Sequence, residues 1–180
     1  MPLIKLNATQ GLTGTLPAVS GANLTGISAG ITMADMWRLT ADITNTNADI
    51  TANLARDNTT GYSKIGTGMS ESSGIFSFPE TGIYQIQAFC NWKVSNENLA
   101  YCEIATTIDN SNYTVRGEIY TSTSASDHYK NSSAVVFLDV TDISQCKVKF
   151  TTGSMNANVT LRGSAGAMET HFTFIRLGDT

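Results

Sequence analysis

The sequence predicts an all-β fold, a sandwich or barrel of short strands preceded by an extended N-terminal arm. From about residue 75 onward, apolar and polar side chains alternate with a period of two, and turn-forming clusters separate the alternating segments. No segment has the pattern of a strand–helix–strand unit. Charged residues make up only 14% of the 180 residues, and the Ser, Thr and Asn that replace them favour strands and turns over helices.

Charge and hydropathy exclude several classes of function. The net charge is −4, so the chain lacks the basic surface expected of a nucleic-acid-binding protein. No apolar run approaches the ~20 residues that span a bilayer. The first residues, MPLIKLNATQ, lack the apolar core of a secretory signal. We therefore expect a protein that is made in a cytosol, binds no nucleic acid and inserts into no membrane.

Residues 1–35 are expected to form an anchoring arm. Single apolar residues stand between Gly, Thr, Ser and Asn, and Lys5 is the one charged residue before Asp35. Such a stretch buries too little apolar surface to fold alone. A loose linker also fits this pattern, but the scarcity of charge favours an arm that docks on a partner. The apolar residues expected to contact that partner are Leu12, Leu16, Val19, Leu24 and Ile27.

Residues 36–180 are expected to form the head domain. In its first segment, Met36, Ile43 and Ile50 are spaced by seven, which is a weak coiled-coil pattern. Two heptads rich in Thr and Asn are too few for a coiled coil, so a strand from Trp37 to Ile43 followed by an irregular connection is preferred.

The clearest strand pattern runs from residue 84 to 94. Pro79 lacks an amide hydrogen and Gly82 tolerates positive φ, so the segment FPETG should end one strand and lead into the next. The even positions that follow are predicted to face the core: Tyr84, Ile86, Ala88, Cys90, Trp92 and Val94. After a turn at 95–98, the next strand is also predicted to have its even positions inward: Ala100, Cys102, Ile104, Thr106 and Ile108.

Further strands are predicted along the rest of the chain. They cover 111–120, 134–140, 146–150, a short segment from 159, and 170–178, while 122–133 is predicted to be a polar loop. Turns at 142–145 and 152–158 separate the later strands.

The three cysteines, Cys90, Cys102 and Cys146, match neither a disulfide framework nor a zinc pattern. If the first two predicted core strands close as a symmetric hairpin, Cys90 and Cys102 lie near each other. A cross-strand disulfide is then one interpretation, and free thiols are the preferred one because the protein is expected to be made in a cytosol.

Catalytic motifs are not found in the sequence. The two histidines, His128 and His171, belong to a polar segment and to the start of the last strand, and there is no nucleophile elbow, His-x-x-x-His pair or P-loop. We expect no enzymatic activity and no cofactor. Acidic residues in turns could bind Ca²⁺, although their spacing is not that of a calcium loop and solvated carboxylates are the preferred interpretation: Asp109, Asp127, Asp139 and Asp142.

A polar segment rich in aromatic residues is a candidate ligand surface. Tyr113, Tyr120 and Tyr129 lie among Ser, Thr and Asn. Tyrosine gives a large contact area at a low entropy cost, which suits recognition of a sugar. Packing of these rings at strand ends is the alternative.

The segment GTGMSESSGIFSFPETGIYQIQAFCNWKV resembles the complement-type globular heads among the tumour-necrosis-factor-like jelly rolls. The later segments AVVFLDVTDISQCKVKF and HFTFIRLGDT are similar to that family's closing strands, in the same order, although no collagen-like stalk precedes them. The resemblance implies a jelly-roll β-sandwich and a homotrimer. Apolar residues on the outward positions are then candidates for the trimer interface: Phe89, Leu99 and Tyr101.

The arm segment LPAVSGANLTGI resembles parts of virion-surface proteins of tailed phages, of the marine or cyanobacterial type. This resemblance implies a structural protein at the virion surface, assembled in the host cytoplasm. Its arm would bind the major capsid protein or a tail protein, and its head would be a capsid decoration or cement protein or a short head fibre. A receptor-binding protein that recognises a host glycan is the alternative. A secreted adhesive or signalling head is disfavoured by the missing signal sequence.

Overall fold

The computed structural model describes residues 30–57, 61 and 63–180, which form two antiparallel sheets packed face to face. The predicted partner contacts Leu12, Leu16, Val19, Leu24 and Ile27 lie outside the described residues. Among the described residues there is no helix long and apolar enough to cross a membrane. The predicted all-β fold is confirmed.

Twelve strands are present in the described part of the chain. In chain order they are β1 (Ala34–Leu39), β2 (Ile43–Thr44), β3 (Leu54–Arg56), β4 (Ser70–Ser72), β5 (Ile75–Ser77), β6 (Gly82–Val94), β7 (Glu97–Thr107), β8 (Thr114–Thr123), β9 (His128–Val140), β10 (Lys147–Gly153), β11 (Val159–Leu161) and β12 (His171–Gly178). The seven-stranded sheet has the order β2-β11-β6-β12-β1-β3, with β9 on the other edge of β6, and the five-stranded sheet has the order β4-β5-β10-β7-β8.

The long strand β6 is the centre of the seven-stranded sheet. Its even residues from Tyr84 to Val94 are fully buried, as the alternation predicts. It pairs along its whole length with β9, from Gly82 opposite Val140 to Val94 opposite His128. At its start, a Cβ on Gly82 would lie 2.5 Å from the Gly178 carbonyl oxygen, so this backbone crossing requires glycine.

Four phenylalanine rings join the two sheets in the core. Phe150 of the five-stranded sheet stacks on Phe172 of the seven-stranded sheet, with ring centroids 3.8 Å apart. The Phe76 ring of the five-stranded sheet and the Phe174 ring of the seven-stranded sheet are tilted against each other, with centroids 5.1 Å apart. Large aromatic side chains give the greatest apolar burial per residue, so these contacts are the main attachment of one sheet to the other.

The first strands differ from their prediction. In place of one strand from Trp37 to Ile43, the chain forms β1, a break and then β2. The break occurs because the backbone around it bonds elsewhere: the Thr40 N–H donates to the Asn53 carbonyl, and the Leu39 carbonyl accepts from the Ser164 N–H. The sandwich includes Met33, which is buried, so its described core begins before residue 36.

The polar segment 122–133 also differs from its prediction as a loop. Residues 122–123 end β8, only residues 124–127 turn, and β9 begins at His128. Pairing with β6 supplies a backbone partner for residues 128–133, and this tertiary pairing outweighs the turn-favouring composition. A smaller error concerns Ile108, which was predicted to face inward. It is 68% exposed because β7 ends at Thr107, where the alternation stops.

The predicted hairpin between β6 and β7 does not form. The two strands lie in different sheets, and β6 pairs with β9 while β7 pairs with β10 and β8. Cys90 and Cys102 are both fully buried between the sheets. All three cysteines are free thiols in the structure.

We expect the three thiols to be unreactive in the folded protein. All are buried, and burial, together with the hydrogen bond and the charge interaction between Cys90 and Cys102, raises the pKa of Cys90 well above its ordinary value. Since the thiolate is the reactive form, labelling by Ellman's reagent should be at least about a hundredfold slower in buffer than in guanidinium chloride. Rapid labelling of the native protein would contradict this packing.

Candidate interaction surfaces

The central rows of the outer face of the seven-stranded sheet carry little charge, whereas Lys93 and Asp139 lie on the same face towards its two ends. Strand pairing places its outward side chains in three rows across β1, β12, β6 and β9. The rows are Ala34, Ile175, Gln85 and Phe137; Met36, Thr173, Gln87 and Val135; and Arg38, His171, Phe89 and Ser133. We call these residues other than Arg38 the neutral face. Arg38 lies at its margin, where its Nη1 is 2.9 Å from the Asp57 carboxylate.

Apolar side chains on the neutral face are exposed in the single chain. Phe137 is 67% exposed, Val135 47% and Met36 41%. Val135 and Met36 share one row, and Phe137 follows Val135 on the same side of β9. Depletion of charge around exposed aromatic and apolar side chains is typical of the centre of a protein–protein interface.

Histidine 171 is the one ionisable side chain of the neutral face. Its ring stacks on Phe89, with centroids 4.9 Å apart and planes 19° apart. Burial lowers the pKa of His171, which opposes protonation at neutral pH. The face therefore stays uncharged near pH 7. His128, the other histidine, pairs in register with Val94 at the far end of β6, so the two do not form a pair.

The three candidate interface residues are divided between the two sheets. Phe89 lies on the neutral face, whereas Leu99 and Tyr101 belong to β7 in the five-stranded sheet. Leu99 is exposed, and the Tyr101 ring lies against Gly153. The thickness of the sandwich separates these two residues from Phe89. Sequence reasoning missed Val135 and Phe137, although a period of two applied to 134–140 places them opposite the core-packed Ala134, Val136 and Leu138.

Contact between Tyr101 and Gly153 gives a testable packing constraint. A Cβ on residue 153 would lie 2.2 Å from the Tyr101 ring, so Gly153→Ala must displace that ring. We expect a loss of about 1–3 kcal/mol in the free energy of unfolding, measured in urea. In a Tyr101→Ala background the same change should cost much less. Equal costs in the two backgrounds would show that the ring is not the obstacle.

The candidate ligand tyrosines do not converge on one place. Tyr113 lies beside the Lys149 ammonium, 4.6 Å from ring centroid to Nζ. Tyr120 contacts Tyr101 edge to face at 5.9 Å, and Tyr129 on the other sheet lies 5.1 Å from the Arg162 guanidinium. Tyr113 and Tyr120 are seven positions apart along the chain, about 23 Å in an extended strand. Of the three tyrosines, Tyr120 borders a polar hollow that is also lined by Lys130 and Asn131.

Of the four acidic residues predicted to lie in turns, Asp139 lies within β9 opposite Ile83, and the other three are engaged within their own turns or with a lysine. Asp109 accepts hydrogen bonds from Asn112, Thr107 and Ser111, and these bonds lower its pKa. Asp142 accepts from Ser144, and Asp127 lies 3.3 Å from the Lys93 ammonium. Over residues 30–57, 61 and 63–180, no group of three or more His, Cys, Asp and Glu side chains is arranged to hold a metal ion.

A buried ion pair that sequence reasoning missed closes one end of the sandwich. The Asp35 side chain is fully buried, and its carboxylate accepts two hydrogen bonds of 2.7 Å from Arg56. It also accepts from Trp37 Nε1 and from the Met69 backbone N–H. Arg56 in turn lies over the Trp37 ring, 4.6 Å from its centroid. One carboxylate therefore joins β1, β3 and the segment before β4.

No protein-family model matches the sequence, and no curated protein matches it. Solved structures share its fold. The Eiger tumour necrosis factor from S. frugiperda aligns with a TM-score of 0.62 at 10% identity, over 84% of this chain and 96% of that one. Murine APRIL aligns with a TM-score of 0.57 at 11% identity, over 81% and 98% of the two chains.

A complement protein shows the same likeness. The globular domain of the zebrafish complement 1qA protein aligns with a TM-score of 0.53 at 10% identity, over 84% of this chain and all of that domain, 100%. The resemblance seen in the segments around FPETG and in the closing strands is therefore matched by the structure. The described chain has the jelly-roll β-sandwich fold of the tumour-necrosis-factor and complement globular heads.

Proposed function

We propose that this chain is a non-enzymatic structural protein whose head domain assembles as a homotrimer through the neutral face. The observation that carries the proposal is the exposure of Phe137, Val135 and Met36 on the uncharged central rows that form the neutral face. Burying such a face removes apolar area from water at roughly 25 cal/mol per Å². The resemblance to trimeric heads supports three copies.

The edges of the sandwich suggest how the copies meet. Among the described strands, β8 pairs only with β7 and β9 only with β6, so both strands are sheet edges, and they lie on the same side of the molecule. An edge that packs on the neutral face of the next copy makes a head-to-tail contact, and such contacts form a ring where the rotation between copies closes. A ring of three places each neutral face against a neighbour and leaves none exposed.

We further propose that the trimer lies on the surface of a tailed-phage virion. The part of residues 1–35 that precedes the buried Met33 would be the arm that binds a capsid or tail protein, and the head would decorate or cement the capsid or form a short head fibre. The low charge of this segment and its resemblance to virion-surface proteins support this role. Assembly would take place in the host cytoplasm.

The mass in solution tests the homotrimer, and imaging of particles tests the place of the protein on the virion. Analytical ultracentrifugation of the full chain should give a mass of three chains at micromolar concentration, and a mass of one chain would overturn the trimer. A density map of intact particles should show the chain before Met33 in contact with capsid or tail protein. Particles that lack the protein should break at lower temperature if it is a cement protein.

Recognition of a host surface glycan is a second candidate function. The observation that favours it is the polar hollow beside Tyr120. Purified protein that binds host cells and blocks infection would support receptor binding. Full infectivity of particles that lack the protein would count against it.

A further inference from the structure

The His171 ring lies among neutral side chains of the neutral face. It shares one row with Arg38 on β1 and Phe89 on β6, and strand register places it directly opposite both. Its ring stacks on Phe89 with planes 19° apart and is only partly exposed in the single chain. A proton added to this ring would therefore place a charge on a surface that its other members keep uncharged.

The surroundings of His171 favour its neutral form. Its Nδ1 is buried and makes no hydrogen bond in the structure. Burial acts most strongly and lowers the pKa of His171, and hydrogen bonds with the backbone of Glu169 and Met168 offset only part of that effect. In the free chain, a partly exposed ring can still reach water by rotation about its side-chain bonds. A second copy packed on the neutral face would prevent that rotation.

The charged side chains beside His171 are already engaged with one another. On the elements next to it they form two ion pairs, each at 2.9 Å: Arg38 with Asp57, and Arg162 with Glu169. The members of its row on β6 and β9 are not ionisable. A protonated His171 would thus have a guanidinium as its neighbour on β1 and would have to compete with an arginine for either carboxylate.

The edge strands that are proposed to meet the neutral face bring no surplus of carboxylates. Their ionisable residues are Arg116 and Glu118 on β8, and His128, Lys130 and Asp139 on β9. Cations and carboxylates balance in this set at neutral pH, and protonation of His128 would add a positive charge in acid. On balance, the next copy therefore offers a charged His171 no attraction.

We propose that protonation of His171 dissociates the trimer in mild acid, which makes assembly through the neutral face reversible and dependent on pH. The inference rests on the proposed trimer and adds how that trimer is regulated. An imidazolium covered by a second copy is desolvated without a carboxylate of its own, whereas the free chain can hydrate it. In a closed ring of three copies the same group is present at every contact.

The direction of the effect follows from the state that binds the proton more tightly. The pKa of His171 in the free chain is already below the ordinary 6.5, and covering the ring lowers it further. Protons therefore favour free chains. Assembly is at full strength above the free-chain pKa and weakens as pH falls from that value towards the lower pKa of the trimer. Since three copies separate together, the dissociation constant should rise by up to about a thousandfold per pH unit in this range.

Sedimentation velocity of the full chain at pH 7.5 and pH 5.0 tests the inference. We expect three-chain particles at pH 7.5 and one-chain particles at pH 5.0. The concentration at which half of the chains are assembled should rise by about tenfold or more. Near-UV circular dichroism at pH 5.0 should remain that of a folded protein, and return to pH 7.5 should restore the trimer.

Two histidine variants assign the effect to one ring. His171→Gln cannot take up a proton and should stay trimeric at both pH values. His128→Gln removes the other histidine of the chain and should dissociate in acid like the wild-type protein. Proton uptake on dilution of the wild-type trimer at pH 6 needs no variant, and about one proton per copy is expected. Dilution that dissociates the trimer without uptake of protons would overturn the inference.

The remaining outcomes separate this inference from the proposed trimer. A one-chain mass at pH 7.5 overturns the trimer and the inference together. A trimer that persists at pH 5.0 overturns the inference and leaves the trimer standing. Acid dissociation that His171→Gln does not prevent, or that His128→Gln does prevent, belongs to other groups and also overturns the inference.

Discussion

Replacing Asp35 by alanine is expected to lower the free energy of unfolding by about 3–5 kcal/mol. The change leaves the Arg56 guanidinium, whose side chain is only 18% exposed, without its carboxylate. It also removes the acceptor for Trp37 Nε1 and for the Met69 N–H. Breaking one side of a buried pair is costly because the remaining charge stays desolvated. Urea unfolding followed by tryptophan fluorescence measures the effect.

Asp49→Ala is the matched control. Asp49 also pairs with a cation, the Lys149 ammonium at 2.8 Å, but its side chain is 41% exposed. Water screens this pair, so its loss should cost no more than about 1 kcal/mol. Similar costs for Asp35→Ala and Asp49→Ala would mean that the buried pair contributes no more than a surface one.

The Asp35–Arg56 pair makes the free energy of unfolding depend on pH, and the direction of this dependence follows from the pKa of Asp35. Burial acts most strongly and raises the pKa of Asp35, but the bonds from Arg56, Trp37 and Met69, with the charge of Arg56, outweigh it and bring the pKa below the ordinary 3.8. A depressed pKa in the folded state contributes stability above the unfolded-state value and loses it as pH falls through the folded-state value. The stability gap between the wild-type protein and Asp35→Ala should therefore be constant above pH ~5 and shrink below pH ~4. A gap that widens on acidification would contradict this assignment.

Val135→Glu is expected to convert the trimer to monomers. Val135 is 47% exposed in the single chain, so a carboxylate there can reach water in the free monomer and should leave its folding nearly unchanged. In the proposed trimer, the same carboxylate would be buried on the neutral face without a cation to pair with. An unpaired buried charge costs several kcal/mol, and a closed ring contains the change at every contact. Sedimentation velocity should then show one-chain particles at concentrations at which the wild-type protein is trimeric.

Ile75→Glu controls for charge alone. Ile75 is 39% exposed on β5, in the opposite sheet, so the same substitution there should leave the trimer intact. Dissociation by Ile75→Glu but not by Val135→Glu would move the interface to the five-stranded sheet, where Leu99 and Tyr101 lie.

Local alternation predicted those parts of the fold in which one face is buried and the other is polar. β6, β10 and β12 follow this rule, because each alternates between core and outward residues. The pattern could not show which strands pair. Proximity of β6 and β7 in sequence suggested a hairpin, whereas the sheets place β12 and β9 beside β6. β9 extends through polar residues because its partner is long.

Candidate sites were harder to predict because they depend on which side chains different strands bring together. Asp35 stands alone in the sequence as one carboxylate near a tryptophan, and its partner Arg56 lies on another strand. Recognising the neutral face requires knowledge of how four strands pair. From the sequence alone, Phe89 was therefore the one member of this face that could be identified. Three tyrosines close in sequence have three different partners in the structure, since one precedes β8, one lies within it and one lies on β9.

The central position of β6 also determines when the protein can finish folding. Its two long neighbours, β9 and β12, both follow it in the chain, and β12 is the last strand in the described sequence. A nascent chain that has passed β6 must keep two unsatisfied strand edges until those later segments are synthesised. Such long-range pairing slows folding, and open edges attract other chains. Chains truncated before residue 171 should therefore accumulate as aggregates or be removed by proteolysis. Assembly can begin only after the last strand has been synthesised.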